Sequence, residues 1–259
     1  MFRYLAVLFA LTAWAVDIPY HAAIAKWRHQ KEAELKADGG WLTVTGLFWL
    51  KHGDNRVASA PGAFELRDSK VLYRPDRGPA IELKAGASIT EGARTFILLE
   101  RGGRYGIRLK DKESKLRAEF RGQQWFPVRE SYRVSARFVA YEQPKPMTIL
   151  NVLGDTMQLP SPGYTVFMVQ GRELRLEPVI EDKKLFFIFR DQTAGKETYG
   201  AGRFLYAELP RDGKVEIDFN KAENPPCAFT PYATCPLPPK QNVLPIRIEA
   251  GELAPARGS

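Results

Sequence analysis

Residues 190–203 concentrate groups that bind anions or move protons. Arg190, Asp191, Thr193, Glu197, Thr198, Tyr199 and Arg203 are interleaved there with Gly195, Gly200 and Gly202. Arg190 and Arg203 would fork onto a carboxylate or phosphate, because a planar guanidinium presents its donors in matching pairs. Asp191 and Glu197 are the candidate catalytic residues, orienting the arginines or acting as acid and base. Tyr199 would stack or donate its hydroxyl. The same residue types also make an internal Arg–Asp/Glu network that pins a loop, with Thr and Gly present for turn geometry.

A second dense stretch runs from Asp218 to Asn242 and adds Asn220, Asn224 and Tyr232 to the candidate ligand-binding set. Six of the fifteen residues 225–239 are Pro, which forbids regular ladders and favours extended, pre-ordered chain. Such a segment would serve as a lid or wall over a site, or as a rigid strap closing the body. Cys227 and Cys235 enclose seven residues. In an exported protein the pair reads first as a disulfide; two buried thiols and a thiol nucleophile are the other readings.

Other chemistries fail on spacing. Gly195-Lys196-Glu197-Thr198 lacks the first Gly of a phosphate loop and has Glu where Ser or Thr must follow the Lys. Gly200 and Gly202 open a dinucleotide pattern that Leu205 breaks. The chain has neither H-E-x-x-H nor C-x-x-C, and no G-x-S-x-G elbow to give a Ser-His-Asp triad its serine. His52 lies in a turn, where an exposed imidazole is the simpler reading than a catalytic base. No cofactor and no metal is expected.

These groups need a scaffold. Residues 19–37 predict a helix, with Pro19 in the first turn, Tyr20, Ile24, Trp27 and Leu35 near one face, and Gly39-Gly40 as the stop. From residue 41 the pattern becomes short, aromatic and β-branched. Strands are predicted at 63–67, 71–74, 80–83, 94–100 and 105–109, the last two forming a hairpin across Gly102-Gly103. The charge-dense 111–121 is a solvated connector or a polar strand. Further strands fall at 132–141, 147–153, 164–169, 173–180, 185–189, 204–209, 215–219 and 246–250. Residues 185–189 are apolar on both faces and predict a central strand, and Asp212-Gly213 predicts a hairpin turn between its neighbours. Many short strands and one clear helix give an all-β fold, an antiparallel barrel or sandwich preceded by one N-terminal helix.

Composition sets the class. The chain has 259 residues, 44% hydrophobic and 26% charged, with a net charge of +8. That balance suits a globular protein. Arg3, an apolar run to Val16 and the Ala13-Trp14-Ala15 pattern predict a signal peptide over residues 1–15. The run is too short to span a bilayer, and no later segment is long and apolar enough, so no transmembrane segment is expected after cleavage. Removing Arg3 leaves +7. The basic charge is dispersed and carries no nucleic-acid motif, so nucleic acid is not an expected partner. The expected organisation is the signal at 1–15, the helix region at 16–40, a single β-rich domain at 41–254 and a tail at 255–259, in a periplasmic or secreted protein.

Several stretches together resemble a known family. They are GWLTVTGLFWLK at 40–51, WFPV at 125–128, RVSARF at 133–138, FRDQT at 189–193, GKETYGAGRF at 195–204, DFN at 218–220 and NPPCAFTPYATCPLPP at 224–239. By these the chain is identified as a member of the bacterial and archaeal domain of unknown function 1684 family. Glu223 departs from the Tyr associated with that family before Asn-Pro-Pro. The resemblance implies one domain and brings no activity, substrate or catalytic set. Three readings follow from the residues: a binding module holding a small polar or anionic molecule at one end of the β body, a hydrolase using a carboxylate acid/base with Asn220 or Thr198 orienting a water, and a structural or partner-binding envelope protein.

Overall fold

A computed structural model describes residues 17–256; the predicted signal peptide lies outside the described residues. Helix α1 (Ile18–Lys36) begins where the Asp17 carboxylate accepts from the Tyr20 N–H, a side-chain N-cap that satisfies one of the free first-turn donors. It buries Tyr20, Ile24 and Leu35, and sets Trp27 edge-on against Trp125 with ring centroids 5.5 Å apart.

The first strands are β1 (Val44–Trp49), β2 (Gly53–Asn55), β3 (Gly62–Arg67), β4 (Lys70–Pro75), β5 (Ile81–Leu83), β6 (Ser88–Glu91), β7 (Arg94–Arg101) and β8 (Arg104–Asp111). They make two antiparallel sheets, ordered β1-β8-β7-β6 and β2-β3-β4-β5. Phe64, Val71, Phe96, Leu98 and Ile107 pack in a core common to both. The β7–β8 hairpin forms as its Gly-Gly turn predicts. The charged connector carries a short helix, α2 (Lys115–Glu119), capped by Ser114.

The second set is β9 (Arg133–Leu150), β10 (Thr156–Val169), β11 (Arg172–Leu176), β12 (Val179–Glu181), β13 (Lys184–Phe189), β14 (Arg203–Ala207) and β15 (Lys214–Asp218). It forms sheets ordered β11-β10-β9-β15 and β12-β13-β14. Every described sheet is antiparallel and open at both edges, so the architecture is sandwich-like and not a closed barrel. β13 is the central strand, and its period of two explains its doubly apolar sequence. Leu185, Phe187 and Phe189 enter the main core, while Phe186 and Ile188 face a second core with Met147, Ile149, Phe204 and Cys235.

Four local predictions differ from the structure. Residues 173–180, read as one strand, divide into β11 and β12, which belong to different sheets. Residues 132–141 and 147–153, read as separate strands, are one bent strand that runs through Pro144 and Pro146. Its partner skips from Ser161 to Gly163 while β9 runs from Lys145 back to Ala140, a bulge that leaves the ladder where prolines cannot donate. Gly163 is required there, with φ +156 and a Cβ that would meet the Val139 carbonyl oxygen at 2.3 Å. The bend carries the far half of the hairpin onto the second core. The Asp212-Gly213 turn does not join a hairpin, since β14 pairs with β13 and β15 with β9. Residues 246–250 form no strand, and side chains take over the role of a ladder there.

Candidate functional site

The loop before β14 is knitted inward. Asp191 is buried and accepts from four donors: Thr193 N–H at 2.9 Å, Thr193 Oγ1 at 2.5 Å, Arg203 Nη2 at 2.8 Å and Ile248 N–H at 2.9 Å. Arg203 is 2% exposed. It donates also to the Ile248 carbonyl at 3.1 Å and to the Ala250 carbonyl. Burial lowers the Arg203 pKa and Asp191 opposes that effect. The two side chains hold residues 246–250 in place of a neighbouring strand, answering the requirement that buried backbone groups be paired. Thr193 and Thr198 share a hydroxyl contact of 2.8 Å. Glu197 pairs with Arg247 at 2.6 Å at the surface.

The remaining sequence candidates scatter. Tyr199 donates to the Cys227 carbonyl at 3.0 Å, so the glycine loop and the proline-rich strap do meet, but as packed protein. Asn220 caps the turn at Arg129, accepting from its N–H at 3.0 Å and donating to its carbonyl at 2.9 Å. Arg190 and Tyr232 are exposed. Cys227 and Cys235 are free thiols, with the Cys227 N–H 3.1 Å from the Cys235 sulfur. Of the set expected to bind ligand, Asn224 alone lines the cleft described next. The arginine expected to grip an anion, Arg203, is enclosed by its own protein partners.

The opening lies on the other face of β13 and β14. It is a cleft of about 820 Å³, within the range of small-molecule sites. Phe186, Phe204 and Tyr206 form its floor, Met157 and Leu159 of β10 one side, and Lys31 and Leu35 of α1 another. The strap contributes Pro226, Phe229 and Cys235. Phe186 stacks on Tyr206 at 4.7 Å and meets Phe204 edge-on at 4.9 Å, which makes the floor rigid. Strand β8 closes the cleft from the first pair of sheets and brings Arg108.

Arg108 is where strand alternation puts a cation between two layers. Ile107 and Leu109 point into the first core, so Arg108 points away from it, toward the cleft. It is 8% exposed. Among the described residues its guanidinium makes no hydrogen bond or ion pair, and its Nε is fully enclosed without a partner. It lies over the Trp41 ring at 4.8 Å. Burial, with the like charge of Arg101, pulls its pKa below the ordinary guanidinium range. Cys235, beside it, supplies no countercharge: its hydrogen bond with Cys227 and its burial push that thiol far up.

Other polar groups of the lining are mostly engaged. Lys31 bridges Glu223 at 3.1 Å and Glu34 at 3.2 Å, and burial raises the Glu223 pKa. Behind the wall the buried Glu252 accepts from the Asn224 N–H at 2.7 Å and from Gln123 Nε2 at 2.9 Å. Gln123 Oε1 and Asn224 Oδ1 are left enclosed without donors. Sequence reasoning missed Arg108, Trp41 and the aromatic floor. An arginine flanked by Ile and Leu in a strand was the available signal, but it reads as the solvated face of a sheet until a second layer is known to cover it.

The family model described as protein of unknown function (DUF1684) matches residues 118–253. This range takes in every motif quoted above except the stretch at 40–51. The solution NMR structure of an uncharacterized protein of Haloarcula marismortui is 33% identical, covering 53% of this chain and 78% of that one, with a TM-score of 0.45. No curated protein matches the chain.

Proposed function

The chain belongs to the family of proteins of unknown function DUF1684, and from the geometry of its cleft we propose that it is a binding protein that holds a small anionic molecule against Arg108. The unpaired guanidinium at the cleft carries this reading. Burying a cation without a carboxylate costs several kcal/mol, which native proteins offset with a partner. Arg108 has none among the described residues: its Nε is enclosed without a partner, and its terminal nitrogens face an opening large enough to admit one. The charge-assisted pair formed with a ligand would replace the missing internal partner. Hydrolysis by Asp191 and Glu197 is disfavoured, because each carboxylate is already engaged by an arginine. The proposal includes export, on the basic, apolar and small-residue pattern of residues 1–15.

The test is a thermal-shift screen of carboxylates and inorganic phosphate against the wild type and Arg108→Met. A ligand at about a hundred times its Kd stabilises by about 2.7 kcal/mol, a readily measured rise in Tm. The expected result is a stabilising anion for the wild type and loss of that shift in R108M, whose unliganded Tm is unchanged or higher because an unpaired charge has gone. Absence of any stabilising anion, or a full shift in R108M, overturns the proposal.

A further inference from the structure

The charges around the cleft restrict the ligand further than a single arginine does. Arg108 is the enclosed cation without a partner. Arg101, its neighbour in the lining, is exposed and turned to the Glu100 carbonyl at 2.9 Å, and Lys31 is occupied by two carboxylates. The rest of the charged lining is acidic: Glu34 of α1, Glu223 in the segment after β15, and Glu181 at the β12 edge, where it accepts from the Tyr206 hydroxyl at 2.7 Å. None of the three forms an ion pair with Arg108. Arg108 lies against Trp41, whereas Glu34 and Glu223 are held at Lys31 and Glu181 at Tyr206; the apolar Phe186, Phe204, Met157 and Leu159 line the same cleft. The two amide oxygens lacking donors, Gln123 Oε1 and Asn224 Oδ1, belong to residues of the same lining.

We infer that the ligand is a carboxylate-headed amphiphile of one negative charge, whose apolar body lies over Phe186 and Phe204 and whose far end is neutral or hydrogen-bond donating. This rests on the reading of Arg108 as the anion contact and adds the exclusion of polyanions. A second negative charge brought to Glu34, Glu181 and Glu223 meets like charge, which weakens binding. A hydroxyl or ammonium there meets acceptors instead. A nucleotide or polyphosphate has the wrong charge count and too little apolar surface for this floor.

Four probes of equal chain length separate the terms in calorimetric titrations of the full chain: octanoate, octanedioate, 8-aminooctanoate and 1-octanol. Octanoate is expected to bind, and R108M to abolish that binding. Octanedioate and octanol are each expected to bind at least about tenfold more weakly, a difference of about 1.4 kcal/mol. The amino acid is expected to bind at least as tightly as octanoate. The double substitution Glu181→Gln, Glu223→Gln should bring octanedioate back toward octanoate. Equal affinity for octanoate and octanedioate, both abolished in R108M, overturns this inference and leaves the anion site standing. Equal affinity for octanoate and octanol, insensitive to R108M, overturns both. Binding of none of the four at millimolar concentration overturns the amphiphile.

Discussion

Glu252 shows how a single buried group at the wall of the cleft sets a pH dependence. Burial raises its pKa from 4.5 to about 7, helped by the charge of Glu223 and opposed by hydrogen bonds from the Asn224 N–H and Gln123. The folded chain therefore keeps a proton that the unfolded chain has released between those values. The stability contributed by this group is complete below pH 4.5 and is lost as pH rises through about 7. At 1.36 kcal/mol per unit the span is about 3 kcal/mol. Glu223, also raised by burial, contributes with the same sign, so the comparison must be with Glu252→Gln. Urea unfolding at both ends of the window is expected to show the wild type losing about 3 kcal/mol more than E252Q; parallel pH curves would contradict it. The sequence revealed Arg203 and Asp191 as chemically notable but could not say that four donors enclose Asp191. It concealed Arg108 within an ordinary alternating strand. The difference between these arginines is which layer covers them, and that is a tertiary fact.

At the scale of elements, the alternation of apolar and polar residues located most of the strands, because a half-buried strand must repeat every two residues, but it left out β2 and β6 and merged β11 with β12. It did not assign strands to sheets. The bent β9–β10 hairpin was hidden by its prolines: Pro144 and Pro162 lie in the skipped stretch, while Pro146 and Pro160 face each other in the ladder. The apolar run at 246–250 was read as a strand because its burial pattern is that of one. Its backbone is held mainly by side chains, those of Arg203 in β14, Asp191, Gln170 and Tyr132, with one backbone bond from the Gln192 N–H to the Ile246 carbonyl, which no local pattern records. The arrangement gives Arg203 a structural weight that can be measured. Replacing it with Met leaves Asp191 buried and short of a donor, and leaves the carbonyls of Ile248 and Ala250 unpaired. Breaking one side of a buried pair costs about 3–5 kcal/mol. Arg203→Met is therefore expected to lose that much in denaturant unfolding, with early hydrogen exchange at residues 246–250. A loss under about 1 kcal/mol, the scale of an exposed pair, would show that the network does not hold this segment.

For the molecule as a whole, the proline-rich strap is the piece that ties the parts around the cleft. Thr230 donates to the Val44 carbonyl at 2.9 Å, and the Val152 N–H donates to the Cys235 carbonyl at 3.0 Å. Tyr199 holds Cys227 from the other side. With its neighbours fixed in this way, the strap keeps the two sulfurs together in the reduced protein. Their hydrogen bond lowers the Cys227 pKa and raises that of Cys235, so Cys227 is the thiol that becomes nucleophilic. In an oxidising compartment a small disulfide oxidant would be attacked by the Cys227 thiolate. The mixed disulfide would then be displaced by Cys235, releasing the reduced oxidant and leaving the bridge, with two hydrogens lost from the protein. Closing a loop this short stabilises by about 2.5 kcal/mol in the chain-entropy picture. Protein treated with oxidised glutathione is therefore expected to resist alkylation at both cysteines. It should also unfold at higher urea than the same protein after reduction, whereas C235S should show one midpoint in either condition. Full alkylation of both thiols after that treatment would show that the strap is held by packing and hydrogen bonds alone, and that the pair is kept as free thiols.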